Sequence, residues 1–181
     1  MRMVMIASEG APYLIHALSK ALIKLGYTVY VIMPKYAKLK RSLERKVKEG
    51  IKVYIDYQWR EFDLYEDILD HVRYFFIDYK PYYGRGHVYA LPREDYHNNA
   101  LRFGFLLMAS LQVIRELELK PDVIHIHNWR TEILPLYKSF YYPDLEELSV
   151  VFTIHDAGPF LGKDCQKIRI CIHHHKGAEV L

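Results

Sequence analysis

The first third of the chain carries a pattern that few folds accommodate. Met3-Val4-Met5-Ile6-Ala7-Ser8 is an apolar run ending on a small polar residue, which is how a parallel strand buried on both faces reads. From Leu14 to Leu25 apolar residues recur at 14, 15, 18, 21, 22 and 25, a helical period. Gly26 follows where a helix-ending glycine belongs. Tyr27 to Met33 is a second apolar run, stopped by Pro34. Strand, helix and strand in this order make a βαβ unit, whose crossover is right-handed.

The remaining elements extend that plan. Ile51 to Tyr57 alternates with period two, and Glu61 to Tyr65 is expected to pair back on it as a hairpin. Val72 to Ile77 reads as another buried strand, and Asp78 to His87 as a polar, Gly- and Tyr-rich loop. Glu94 to Leu119 gives the longest helical stretch, interrupted by Pro121. Asp122 to Ile126 is a strand of the parallel type, Thr131 to Phe140 a short helix, and Leu148 to Ile154 a last strand. Strands alternating with helices predict an α/β fold: a Rossmann-like open, mostly parallel sheet with helices on both faces and a β-hairpin insert. The expected domain is 1–158. Residues 159–181, short, basic and His-rich, read as an irregular tail.

Composition narrows the function classes. The chain has 181 residues, 51% of them hydrophobic and 26% charged, a globular balance rather than a disordered one. Its longest charge-free run, Phe103 to Ile114, is too short for a membrane span of about 20 residues. No signal peptide is evident at the N-terminus, and two Cys argue against a disulfide framework. The expected setting is the cytoplasm. The net charge of +3 is dispersed, without the one-sided stripe of a nucleic-acid binder; the basic segment from Lys35 to Lys48 reads as a solvated helix or loop. Sixteen Tyr supply flat apolar rings with polar tips, suited to wet or sugar-lined surfaces.

In open parallel sheets ligands bind at the carboxyl ends of the strands. Those ends carry Ser8-Glu9-Gly10, Pro34-Lys35-Tyr36, Asp78-Tyr79-Lys80, His127-Asn128-Trp129-Arg130 and His155-Asp156, five clusters converging on one rim. Asn128 offers an amide for paired hydrogen bonds, Trp129 a ring for stacking, and the helix to follow its N-terminal amides. The alternative is structural: Asn128 capping the helix at Thr131, with Trp129 in the core. His125 and His127 are expected to point to opposite faces of their strand, and His16 to lie on the surface. Cys165, Cys171 and His173 to His175 match no closed zinc motif, so no metal or other cofactor is expected.

Asp122-Val-Ile-His-Ile-His-Asn-Trp-Arg-Thr131, Leu134-Pro-Leu-Tyr137 and Val151-Phe-Thr-Ile-His155 together resemble the N-terminal domain of bacterial glycogen/starch synthases. Met3 to Glu9 with Ala11-Pro12, Ala17 to Leu22 with Leu25-Gly26, Val31 to Tyr36, Tyr82-Tyr83-Gly-Arg85 and Asn98 to Phe103 match in the same order. The resemblance implies half of a GT-B architecture, in which two Rossmann-like domains face each other across a cleft. It implies a retaining transferase that moves glucose from a nucleotide-glucose, ADP-glucose first, to the non-reducing end of an α-1,4-glucan. The family's second, nucleotide-binding domain has no counterpart in this chain.

Carried over position by position, the resemblance makes His155 and Asn128 the catalytic candidates. His155 stands in the Thr-Ile-His motif that contacts the transferred glucose. Asn128 stands where the family usually has Asp. Tyr83, Trp129, Arg130, Glu9 and Asn99 are the substrate-side candidates. One departure bears on activity: the family has a phosphate-cradling Lys-x-Gly-Gly loop after its first strand, whereas here Ala11-Pro12-Tyr13 runs straight into Leu14-Ile15-His16. The isolated chain is therefore expected to be inactive. The competing readings are a non-enzymatic glucan- or partner-binding module, and a nucleotide-sugar transferase with another acceptor.

Overall fold

The computed structural model describes residues 1–8, 12–37, 45–84, 90–91, 94–95 and 99–155. Its first three elements are the expected βαβ unit: β1 (Arg2–Ala7), α1 (Pro12–Lys24) and β2 (Thr28–Pro34). The two strands pair in parallel, with Met3 opposite Val29 and Ile6 opposite Ile32. Gly26 closes α1 at φ +85°. Its N–H donates to the Ile23 carbonyl at 2.9 Å, and that of Tyr27 to Leu22 at 3.1 Å, the double bond of a Schellman cap. Only glycine adopts that backbone without strain.

The chain continues through β3 (Arg45–Ile55), β4 (Gln58–Leu69), β5 (Val72–Asp78), the single turn α2 (Lys80–Tyr83), the two-residue strands β6 (Ala90–Leu91) and β7 (Glu94–Asp95), and α3 (Asn99–Glu116). It closes with β8 (Val123–His127), α4 (Leu134–Tyr141) and β9 (Ser149–Thr153). Seven strands form one sheet in the order β3-β4-β5-β2-β1-β8-β9. The pairs from β5 to β9 are parallel, whereas β3–β4 and β4–β5 are antiparallel. The mostly parallel open sheet of the sequence reading is present.

Alternation along the strands divides the core. Val4, Ile6, Ile32, Phe75, Ile77, Ile124 and Ile126 join residues of α3 and α4 in one buried cluster. Met3, Met5, Ala7, Val29, Val31 and Met33 join Ile15 of α1 in another. Helices thus cover both faces, and each fully buried aliphatic or phenyl side chain contributes about 1.5–3 kcal/mol. Gly104 permits the closest approach: a Cβ there would meet the Tyr137 hydroxyl at 2.9 Å, so α3 and α4 pack without a spacer. No helix among the described residues is long and apolar enough to cross a membrane.

Several elements differ from expectation. The hairpin is twice as long as its alternating pattern suggested and is the sheet's own antiparallel edge, not a decoration. The basic residues from Arg45 to Lys48 belong to β3 rather than to a helix or loop. Both of its tight turns use non-glycine residues at positive φ: Asp56 and Tyr57 (53° and 57°), then Asp70 and His71 (50° and 66°). The long helix begins at Asn99 because Glu94 and Asp95 pair with Leu91 and Ala90. Part of the expected loop after Asp78 is the helical turn α2. The helix placed at Thr131 starts at Leu134, after a 3-10 turn over Trp129–Thr131.

Candidate functional site

The sheet order locates a crevice. From β1 the chain passes to β2, and β5 follows on that same side, while β8 and β9 lie on the other. The strand order therefore reverses between β1 and β8, and ligands of open α/β sheets bind beyond the strands' carboxyl ends at such a switch point. Ala7 lies opposite His127 in that pair, and His127 opposite Thr153 in the next. Ser8, Asn128 and His155 stand just beyond these residues.

Asn128 is the hinge of the site. It has φ 66°, a left-handed conformation that Asn tolerates better than most residues. Its N–H donates to the Thr153 carbonyl at 2.9 Å, extending the β8–β9 pairing by one bond. Its Oδ1 accepts the backbone N–H of His155 at 3.0 Å. Its carbonyl accepts the N–H and the hydroxyl of Thr131 at 3.0 and 2.9 Å. The side chain therefore ties two strand ends together instead of capping the helix that follows.

Three imidazoles lie side by side here. His125 and His127 have ring centroids 4.1 Å apart, so the expectation that they face opposite sides of β8 is wrong. Residues two apart on a strand share a face, because successive side chains alternate. His127 Nδ1 lies 3.0 Å from His155 Nε2, with the rings nearly coplanar in orientation at 10°. His125 Nε2 lies 2.8 Å from the Thr153 hydroxyl. His127 is 2% exposed, and its Nε2 has no hydrogen-bond partner among the described residues. The same holds for the Ser8 hydroxyl, at the other wall of the crevice.

Burial, with His125 and His155 beside it, pushes the His127 imidazole down to about 3. Burial, with His155 nearby, lowers His125 as well. An unfolded chain protonates both near pH ~6.5, so below that value it binds more protons than the native protein does. Stability then rises with pH. We expect it to be full above about pH 6.5 and to fall on acidification towards pH 3, His127 alone contributing up to about 1.4 kcal/mol per pH unit. Urea midpoints measured between about pH 7.5 and 4.5 check this, and a His127→Phe variant should show a shallower slope. A flat wild-type profile across that window would refute it.

The starch synthase catalytic domain model matches residues 2–168. The chain belongs to that family. A glycogen synthase of Hydrogenobaculum sp. (strain Y04AAS1) is 34% identical over 94% of this chain, and one of Streptococcus uberis 32% identical over 86%. The chain covers 37% and 34% of those two proteins. It thus spans about a third of the length of the curated relatives it matches. A structure of the catalytic domain of starch synthase IV from Arabidopsis thaliana, bound to ADP and acarbose, superimposes with a TM-score of 0.73 at 24% identity, over 86% of this chain and 34% of that one. That likeness shows the fold.

Not every predicted site residue reaches the rim. His155 is exposed there, and Arg130 is half-buried with its guanidinium 5.4 Å over the Phe103 ring. Tyr83 does not line a cleft: it is 0% exposed, and its hydroxyl donates to the Arg102 carbonyl at 3.0 Å. Burial pushes its phenol well above the usual range. Asn99 is also buried, its Oδ1 accepting from Arg102 Nη1 at 2.8 Å. Helical placement turned both inward. Tyr36, on the second strand's end, is buried too, with its hydroxyl donating to the Ser8 carbonyl at 2.6 Å. His16 is structural, 2.7 Å from the Tyr74 hydroxyl and 3.2 Å from Asp70. Glu9, Asp156 and the Cys/His-rich tail lie outside the described residues, as does the Trp129 ring.

Two side-chain roles emerge only in the structure. Arg102, 0% exposed, donates from Nε to the Tyr82 carbonyl at 3.0 Å and clamps α2 to the start of α3. His127 holds His155. The spacing His-x-His was the one available signal for the latter, and it was misread by one face.

Proposed function

We propose that this domain is the acceptor-side half of a glucosyltransferase that moves glucose from a nucleotide-glucose to the non-reducing end of an α-1,4-glucan with retention. ADP-glucose is the proposed donor, a choice supported by the ADP named with the plant starch synthase. The observation that carries the reading is the interlock at the switch point, where Asn128 Oδ1 holds the His155 N–H at 3.0 Å. It gives the Thr-Ile-His motif a fixed presentation at the rim. Asn serves there as well as Asp, since an amide oxygen accepts that bond without a charge. Residues 1–158 are the proposed unit, acting opposite a nucleotide-binding domain within a longer cytoplasmic protein. No cofactor, nucleic acid or membrane enters the proposal.

Fixed presentation is what these residues supply. Orienting reacting groups lowers a barrier by several kcal/mol, and orienting the sugar is the role proposed for His155 and Asn128. In the transfer, the bond from the anomeric carbon to the diphosphate oxygen breaks and one to the acceptor hydroxyl forms. The departing diphosphate needs charge stabilisation, each such contact being worth about 10²–10³ in rate. The opening turn of α1 offers Pro12, which lacks an N–H, and Tyr13, 88% exposed, in place of a lysine and glycine amides. Those contacts must come from elsewhere.

Incubated with ADP-glucose and glycogen, the 181-residue chain is expected to release no ADP above background. A protein joining it to the remaining two thirds of its relatives' length is expected to release ADP and lengthen the glucan. ADP release by the short chain refutes its predicted inactivity, and failure of the long protein refutes the transferase reading. The opening of α1 favours the second reading, a glucan-binding module. Retention on a glycogen affinity gel without transfer by the long protein would establish it.

A further inference from the structure

The proposed function rests on where His155 stands, and the surrounding hydrogen bonds also bear on which of its nitrogens carries the proton. His155 Nε2 and His127 Nδ1 are 3.0 Å apart, so one donates and the other accepts. Two arrangements satisfy that pair. In the first, His155 carries its proton on Nε2 and donates it to His127 Nδ1. A neutral His127 must then hold its own proton on Nε2, the atom that is buried without a partner. In the second, His127 carries its proton on Nδ1 and donates it, so that its buried Nε2 bears only a lone pair.

The two differ in what is orphaned. A buried N–H without an acceptor is rarer in native proteins than an acceptor short of a donor, and leaving a donor unsatisfied forfeits its full desolvation cost. The pocket around His127 offers Nε2 no acceptor among the described residues, so the second arrangement prevails. His127 stays neutral within it, being stacked 4.1 Å from His125, whose own Nε2 is occupied by the Thr153 hydroxyl. Thr153, two residues before His155, closes the circuit back to the same strand end.

We propose that His127 is a positioning residue that locks His155 as its Nδ1–H tautomer, with Nε2 occupied and Nδ1–H directed to the crevice. His155 then meets the sugar as a neutral hydrogen-bond donor. Its lone pair is engaged by His127, so it is not the base that takes the acceptor's proton. The inference deepens the transferase reading by assigning the chemistry of its central imidazole, and it rests on that reading only for the identity of the ligand.

Long-range proton–nitrogen NMR of imidazole-¹⁵N-labelled 181-residue chain tests this, at a pH about one unit or more above the ordinary imidazole value of ~6.5. The expected spectrum shows Nδ1 as the protonated nitrogen and Nε2 as the bare one for both His155 and His127. In His127→Phe the lock is gone, and His155 should shift to a mixture dominated by Nε2–H, as in free imidazole side chains. His127→Gln, whose amide N–H can replace the donor, should restore the Nδ1–H form. A wild-type His155 protonated on Nε2 overturns the proposal even if neither variant folds. So does a His155 spectrum unchanged in a folded His127→Phe. Neither readout depends on glucose transfer: a locked tautomer in a long protein that makes no glucan refutes the function and leaves the lock standing.

Discussion

Replacing Arg102 by methionine is expected to destabilise the domain by about 3–5 kcal/mol. Arg102 is entirely buried at the start of α3. It donates to the Tyr82 carbonyl from Nε and to Asn99 Oδ1 from Nη1, while its own carbonyl accepts from the Tyr83 hydroxyl. Methionine fills a similar volume but makes neither side-chain bond, leaving two buried oxygens unsatisfied at about 1–3 kcal/mol each. The clamp also holds together the two ends of the segment 85–98. Urea unfolding followed by circular dichroism measures the loss. Asn99→Ala, which removes only one of the two partners, should cost less. A methionine variant within about 1 kcal/mol of wild type would refute the clamp.

Asn128→Leu is expected to cost about 2–3 kcal/mol of stability and, in the longer protein, at least about 10²-fold in transfer rate. A left-handed residue with a branched side chain is strained by about 1–2 kcal/mol, and leucine cannot accept the His155 N–H. Asn128→Asp should behave almost as wild type, because aspartate tolerates the same backbone and accepts the same bond. Asn128→Gly separates the two causes: it relieves the strain but not the lost acceptor, so it should keep most of the stability and lose the transfer rate. Equal behaviour of the leucine and aspartate variants would show that the bond to His155 does not matter.

The sequence was most legible where one signal dominated. Apolar runs gave β1, β2, β5, β8 and β9, and Gly26 ended α1 where the structure ends it. It was least legible in the hairpin. Asp56-Tyr57 and Asp70-His71 lack the glycine that marks a two-residue turn, and the first half of β3, Arg45 to Gly50, buries no residue and so shows no apolar alternation. The start of α3 was missed because pairing of β6 with β7 overrode a helical period that continued upstream.

The site divides in the same way. Resemblance makes His155 and Asn128 candidates, and both lie just beyond the strand ends at the switch point. Tyr83 and Asn99 went wrong for a physical reason: a motif match gives a residue's position along the chain, while burial depends on which way a helical turn faces. His127 was invisible as a partner because its role exists only once β8 and β9 pair, 28 residues apart in sequence.

The position of β1 has a consequence for how the protein is made. β1 is flanked by β2, which follows within one helix, and by β8, which begins only at Val123. Asp122 even supplies the carboxylate that accepts the Arg2 N–H at 2.6 Å. At translation rates of about 5–20 residues per second, roughly 5–20 s pass between completion of β2 and delivery of β8. Throughout that interval one side of Met3 to Ala7 is an open apolar edge, the kind that recruits foreign strands. The nascent chain thus carries its future centre as an open strand edge until the ribosome reaches His127.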